Sequence, residues 1–210
     1  MNKNISKFFD KYKKDCEKFN DGLVHIPKPD PKNGIPGKNI ILMFINERPG
    51  RVGPGESDII SYENDDPTAR RFKSLFKTLN INRKNIFITN TCIYYPSRKN
   101  YRDATPNTAE INFSVPILKD QIKRVNPKII VPLGNTALCA LKKVFPESLS
   151  TKKFRLRYNI GNPITDTKPY IFPVYHTSNR ATITRKKEDQ EKDWQLLKKF
   201  ISNPTYKTRP

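Results

Sequence analysis

The chain has 210 residues and carries a large excess of positive charge. Lysine and arginine number 40 against 20 aspartate and glutamate residues, a formal net charge of +20 at pH 7. Such a surface predicts a polyanionic partner, and we expect a nucleic-acid backbone in preference to an anionic membrane. No segment approaches the roughly 18 consecutive apolar residues that a transmembrane helix needs, so we expect no membrane span.

Two further features exclude other classes of protein. The first ten residues are polar and lack the apolar region of a signal peptide, so we expect a cytoplasmic protein. We also expect it to be monomeric and associated with the nucleoid. Cys16, Cys92 and Cys139 are far apart and form no CxxC pair. This spacing argues against a zinc site or a disulfide framework and predicts buried free thiols.

The N-terminal part of the chain predicts one helix and a connector. Apolar residues from Ile5 to Phe19 recur at helical spacing, with lysines on the other face. Residues 26–38 contain four prolines and two glycines and predict an extended connector. We expect a single domain in which 1–38 precede an α/β core over 39–201 and 202–210 form a basic tail.

From residue 40 onward, short apolar runs alternate with amphipathic segments. Strands are predicted at 40–45, 86–89, 128–133 and 170–175. Helices are predicted around 72–79, 111–122, 136–144 and 188–201, with a bend at Pro116. This alternation predicts a three-layer α/β/α sandwich with a central four-stranded, mostly parallel sheet.

Polar residues follow each predicted strand. Ligands of parallel sheets bind beyond the carboxyl ends of the strands, so these residues are the first candidates for a site. They are Asn46, Glu47 and Arg48 after the first strand, Asn90 after the second, Gly134 and Asn135 after the third, and His176 and Ser178 after the fourth.

Two of these side chains suit chemistry on a base. The amide of Asn90 offers one acceptor and two donors, which can pair with the edge of a pyrimidine, although a strand-end turn also favours asparagine. His176 could donate a hydrogen bond to an oxygen that gains negative charge as a bond breaks, or it could be a surface or core histidine. His25, the other histidine, precedes the connector. Ser178 and Asn179 could bind a phosphate or support a turn.

A glycine-rich loop and a group of aromatic residues are further candidates. Residues 48–55 contain Arg48, Gly50, Arg51 and Gly53, and the backbone N–H groups of such loops can bind phosphates. Their spacing matches neither dinucleotide nor P-loop motifs, so we expect no nucleotide cofactor; a flexible loop is the alternative. Tyr94 and Tyr95, followed by Tyr101 and Arg102, could stack on bases or belong to the core. The lysines of 184–199 predict a solvated helix face.

Four segments resemble, in order, motifs of the iron–sulfur type of the uracil-DNA glycosylase superfamily. They are "INERPG" at 45–50, "FITNTCIYYP" at 87–96, "AEINFSVPILKDQIKRVNPKIIVPLGNTAL" at 109–138 and "FPVYHTS" at 172–178. Together they span about residues 40–180. The resemblance implies a monofunctional DNA glycosylase, which flips a base out of DNA and hydrolyses its N-glycosidic bond without a cofactor.

The resemblance also implies roles for single residues. Asn90 would bind the Watson–Crick edge of the flipped base, and His176 would stabilise the negative charge on the leaving base. The loop around Glu47 would position or activate the attacking water, with Asn46 and Arg48 beside the substrate. DNA would be bound by Gly50, Arg51, Gly53, Ser178, Asn179 and Arg180, the last two entering the minor groove. The candidates for a ring that stacks on the base are Tyr62, Phe72 and Tyr94.

Three departures from the family pattern qualify these expectations. Two cluster cysteines of the family fall at Tyr94 and Ser114, and the N-terminal CxxC is missing, so we expect neither an iron–sulfur cluster nor another metal. Arg48 replaces a small, acidic or amide residue, and its partner could be Glu47, a phosphate or a substituent on the base. Thr177 replaces the proline of the family's "HPS" motif.

These departures leave the substrate open. Uracil in DNA is the leading interpretation. A modified cytosine of phage DNA, which would imply antiviral defence, and a DNA-binding relative without catalysis are the alternatives.

Overall fold

A parallel four-stranded sheet lies at the centre of the molecule. The computed structural model describes residues 3–22, 24–50, 53–96 and 105–203. The central strands are β1 (Leu42–Asn46), β2 (Ile86–Asn90), β3 (Ile129–Pro132) and β4 (Tyr170–Ile171). They lie in the order β2-β1-β3-β4, and every neighbouring pair is parallel. The predicted sheet is confirmed, and it is parallel throughout.

Helices and two short strand pairs surround this sheet. The helices of the described residues are α1 (Lys3–Phe19), α2 (Pro54–Ser57), α3 (Pro67–Leu79), α4 (Thr108–Val125), α5 (Asn135–Val144), α6 (Leu149–Lys153), α7 (Leu156–Asn159), α8 (Ala181–Thr184) and α9 (Lys187–Ser202), with a 3-10 turn at Arg83–Asn85. Val24–His25 pairs antiparallel with Tyr95–Pro96, and Lys28–Pro29 pairs parallel with Ile59–Ile60. These two-residue pairs were not predicted, because a stretch of two residues carries no periodicity. None of the helices described is long and apolar enough to cross a membrane.

The alternation of side chains along β1 produces two cores, one on each face of the sheet. On one face, Phe44 packs against Phe72 of α3 and Trp194 of α9, with ring centroids 4.9 and 5.6 Å apart. On the other face, Met43 belongs to a buried cluster that includes Leu138 of α5 and further apolar residues of α4. The sheet is therefore covered by helices on both faces, and the predicted three-layer sandwich is confirmed.

Polar caps determine where the helices beside the sheet edge begin. Asp66 precedes α3, and its Oδ1 accepts a hydrogen bond from the N–H of Ala69 at 3.0 Å. Asn107 and Glu110 form a reciprocal capping box at the start of α4. α4 continues through Pro116 as one helix. Both N-termini lie beside loops that follow the strands.

The fourth strand is shorter than predicted. Regular pairing ends at Ile171, although the N–H groups of Phe172 and Val174 still donate to Ile130 and Pro132 at 2.9 and 3.1 Å. Pro173 lies between these two donors on the edge strand, where an N–H would face away from β3, so its missing donor is tolerated. The chain nevertheless follows the sheet direction and brings His176 to the carboxyl edge.

Candidate active site

A cavity of about 760 Å³ opens at the carboxyl edge of the sheet. The loops after β1, β2 and β3 and the segment after β4 all contribute to its wall, as the sequence predicted. The expected site residues that line it are Asn46, Glu47, Arg48, Gly50, Asn90, His176, Ser178 and Arg180. Gly134 and Asn135, which follow β3, line it as well.

The structure does not bring every expected residue to this cavity. Asn179 is exposed beside it, and Gly53 is buried against Asp66. Arg51, Tyr101 and Arg102 lie outside the described residues.

Tyr94 lies in the core and not in the cavity wall. Its side chain is 0% exposed, and its ring contacts Phe113 of α4 edge-on, with centroids 6.2 Å apart. Burial raises the pKa of its phenol. The segment after β2 packs into the cluster that also contains Cys16 of α1 and Ile117 of α4, so its aromatic ring cannot face a ligand here. The expectation that Tyr94 binds the substrate is therefore wrong, and the alternative expectation, that Tyr94 belongs to the core, is correct.

Asn90 presents an unsatisfied amide to the cavity. It is the last residue of β2, opposite Asn46 in the parallel register, and is 2% exposed. Its buried Nδ2 makes no hydrogen bond to any described residue. A buried donor without a partner costs free energy. Nδ2 is therefore available to an acceptor on a bound ligand.

The imidazole of His176 is held in one tautomer. The backbone N–H of Ser178 donates to its Nδ1 at 3.1 Å, so that nitrogen is an acceptor and the proton of the neutral ring is assigned to Nε2. Burial lowers the pKa of His176, and the nearby carboxylates Glu47 and Asp66 oppose this shift only in part. At neutral pH the ring is uncharged and offers one N–H donor.

Glu47 is held by a hydroxyl group that was not predicted to belong to the site. Thr136, in the first turn of α5, donates its Oγ1 hydrogen to Oε1 of Glu47 at 2.9 Å. Gly134, with φ of +90°, lies between this carboxylate and His176, and a Cβ there would be 3.2 Å from the Cβ of His176. Only glycine fits this backbone conformation and this space. Gly134 therefore allows the loop after β1, the start of α5 and His176 to come into contact.

Arg48 has a protein partner that the sequence did not suggest. Its Nη2 lies 2.7 Å from Oε1 of Glu110, and the two side chains are 6% and 14% exposed. The other oxygen of Glu110 accepts the backbone N–H of Asn107 at 2.9 Å. The charge of Arg48 is therefore compensated at the cavity wall by a residue of α4.

The residues at the expected cluster position do not fit an iron–sulfur centre, which requires thiolate ligands. Ser114 replaces one cysteine and donates its hydroxyl to Sγ of Cys92 at 3.2 Å. Burial raises the pKa of Cys92 to about 11 and that of Cys16 to about 12, so both are protonated thiols. Within the described ranges, no group of three or more His, Cys, Asp or Glu side chains could hold a metal ion.

The cavity also contains side chains that were weakly predicted or missed. Tyr62 and Phe72 line it, and their rings stack 5.1 Å apart. Asp66 and Tyr175 line it without having been singled out. The Asp66-Pro67 pair is a recognisable helix start, so its position at a helix N-terminus was open to prediction.

A buried amide, a neutral imidazole and a carboxylate at the edge of a parallel sheet, on a strongly basic chain, define an enzyme that acts on nucleic acid. The model of the Uracil DNA glycosylase superfamily matches residues 35–198, and the chain belongs to this superfamily. It is similar to the Type-4 uracil-DNA glycosylase of Sulfurisphaera tokodaii, with 25% identity over 190 residues that cover 82% of this chain and 76% of that protein. The chain is thus a DNA glycosylase.

Proposed function

We propose that this glycosylase removes uracil from DNA by flipping the base into the cavity and hydrolysing the bond between its N1 and the sugar. The observation that carries the proposal is the unsatisfied Nδ2 of Asn90 in the cavity wall. Membership in the superfamily and the likeness to a Type-4 uracil-DNA glycosylase support the same substrate.

The amide of Asn90 is complementary to the edge of uracil. Uracil offers an acceptor at O4 and a donor at N3–H, and an asparagine amide offers a donor and an acceptor side by side. Nδ2 would donate to O4, which satisfies the atom that the protein leaves unpaired. Cytosine places an amino donor at the same position, where it would meet the N–H₂ group of Asn90 instead of an acceptor.

His176 and Glu47 supply the two functions that hydrolysis needs. When the C1′–N1 bond breaks, both electrons leave with the base, and negative charge develops on its oxygens. The Nε2–H of neutral His176 would donate to that charge. Water donates an electron pair to C1′, and Glu47, oriented by Thr136, would accept the proton that the water loses.

The remaining cavity residues suit binding of the base and of the DNA strand. Of the three rings that the sequence offered for stacking, Tyr62 and Phe72 line the cavity and would stack on the flipped base. Asn46 lies opposite Asn90 in the register and would contact the same base. Gly50, Ser178 and Arg180 would bind the strand beside it, with Arg51, Gly53 and Asn179 further along the same two loops. In this arrangement phosphate contacts supply affinity and Asn90 supplies recognition.

Compensation of Arg48 weakens the case for a modified cytosine. That alternative depended on a lone cation that would seek a substituent on the base. Because Glu110 already compensates the charge of Arg48, that charge does not require a substituent on the base.

The proposal is tested with matched duplexes that differ in one base. Each duplex contains a single uracil, an unmodified cytosine or a glucosylated hydroxymethylcytosine, and abasic product is detected by alkaline strand cleavage. We expect cleavage only at uracil. Release of the modified cytosine with uracil left intact would contradict the proposal.

A further inference from the structure

We propose that Asp66 is a second carboxylate of the site, which faces the reacting sugar and stabilises the positive charge that develops at C1′. This inference rests on the proposed function, and it assigns Asp66 a role beyond capping α3.

Only one of the two carboxylate oxygens of Asp66 accepts a hydrogen bond from the residues that the structure describes. Oδ1 accepts the N–H of Ala69 at 3.0 Å, and the residue lines the cavity. No hydrogen bond or ion pair from any described residue reaches Oδ2. In a chain with 40 basic and 20 acidic residues, a carboxylate in a concave wall without a cationic partner is unexpected. Its charge remains available to a ligand.

Gly53, in the loop beside Asp66, closely approaches the second carboxylate oxygen, Oδ2. Gly53 has φ of +79°, and a Cβ at this position would lie 2.5 Å from Oδ2 of Asp66. Any larger residue would push against the carboxylate and strain the backbone. The backbone of Gly53 therefore lies close beside Oδ2 and leaves no room for a side chain at position 53.

Asp66 and Glu47 reach the cavity from opposite faces of the sheet. Asp66 begins α3, whose inner residues belong to one core cluster, whereas Glu47 is held by Thr136 of α5, whose inner residues belong to the other. Thr177 donates its hydroxyl to the carbonyl of Thr68 at 3.2 Å, which fixes the segment after β4 against the first turn of α3. A sugar beneath a base on Asn90 would thus have a carboxylate on either side and His176 near the base.

This arrangement suits the charges of the reaction. As the C1′–N1 bond breaks, its two electrons leave with the base and the sugar becomes a cation, like the oxocarbenium-like transition state of glycoside hydrolysis. Water then supplies the pair for the new C1′–O bond and loses a proton to Glu47. Asp66 takes no part in bond making; it lowers the energy of the cation by Coulomb attraction.

Helix capping is the competing explanation, and it makes a different prediction. Asparagine and serine cap helices about as well as aspartate does. If capping were the whole role of Asp66, Asp66→Asn and Asp66→Ser would behave as the wild type. If its charge is used, both variants lose rate while keeping the fold.

The first experiment measures melting temperature, duplex affinity and single-turnover release of uracil for Asp66→Asn, Asp66→Ser and Asp66→Ala. Asp65→Asn is the matched control, because Asp65 is the neighbouring carboxylate, its side chain is 88% exposed and it pairs with Arg70. We expect Asn and Ser variants with wild-type melting temperature and affinity but about 10- to 100-fold slower release. Rates that stay at the wild-type value, or that fall only in step with melting temperature, would overturn the inference.

The second experiment measures the response to positive charge directly. Duplexes carry either a cationic pyrrolidine or a neutral tetrahydrofuran in place of the abasic sugar. Asp66→Asn should bind the cationic duplex about tenfold more weakly and the neutral duplex unchanged. Equal affinity changes for both duplexes would overturn the role of Asp66. A wild-type protein that releases no uracil would instead overturn the proposed function itself, and the inference with it.

Discussion

Arg48 and Glu110 form a nearly buried ion pair, 2.7 Å between Nη2 and Oε1, that joins the loop after β1 to the start of α4. The same carboxylate closes the capping box with Asn107. The pair lies close to Cys92, whose sulfur is 3.8 Å from the carbonyl of Glu110. Tyr94 and Ser114, the two positions at which the resemblance implies cluster cysteines, are both buried.

Removing the charge of Glu110 should destabilise the protein strongly. Glu110→Gln keeps an amide that can complete the capping box but removes the carboxylate that pairs with Arg48, and breaking a buried ion pair from one side costs about 3 kcal/mol. Urea denaturation measures the change. The double variant Arg48→Met/Glu110→Gln removes both charges and should regain most of that loss. A single variant as stable as the wild type would show that the pair contributes nothing.

Affinity for duplex DNA should decrease steeply with salt. The net charge of +20 implies that several phosphates are neutralised on binding, and each releases counterions. Between about 50 and 200 mM salt we expect a loss of about 1000-fold, measured by fluorescence anisotropy on an unmodified duplex. A flat salt dependence would contradict binding through the phosphate backbone.

Replacement of His176 should slow release of the base without weakening duplex binding. The Nε2–H is the donor proposed for the leaving base, and loss of one such donor costs about 100- to 1000-fold in rate. Single-turnover kinetics of His176→Ala measure this, with affinity from the same duplex as the control. Near-normal release by the variant would remove His176 from the mechanism.

The lowered pKa of His176 predicts two responses to pH. The donor is the neutral ring. The rate of base release should therefore not decrease about tenfold per pH unit above neutrality, as it would if the imidazolium were required.

The same pKa also affects stability, because the unfolded chain takes up a proton on His176 below about pH 6.5 that the folded ring resists. The free energy of unfolding should therefore fall as pH decreases from there through the lowered pKa, and less steeply in His176→Gln. Equal slopes for both proteins would show that His176 is not responsible.

The sequence predicted the parts of the site that depend on strand ends. Asn90 and His176 follow apolar runs, and the carboxyl ends of parallel strands necessarily meet at one edge. The free thiols of Cys16 and Cys92 are buried as predicted, whereas Cys139 is only half-buried.

Contacts between distant segments could not be predicted in the same way. The pairing of Arg48 with Glu110 and of Glu47 with Thr136 depends on how α4 and α5 pack against the sheet, which no local pattern specifies. Tyr94 shows the same limit for burial. Its neighbours in sequence resemble a polar loop, but packing against α1 and α4 buries its ring.

The measurement that tests the central claim most directly is release of uracil by Asn90→Leu under single-turnover conditions. Leucine has a similar size but no amide, and Asn112→Leu on the exposed face of α4 is the matched control. If Asn90 recognises the base, Asn90→Leu should bind duplex DNA normally and release uracil at least about 100-fold more slowly, while the control matches the wild type. Equal rates for Asn90→Leu and the wild type would contradict recognition of uracil through this amide.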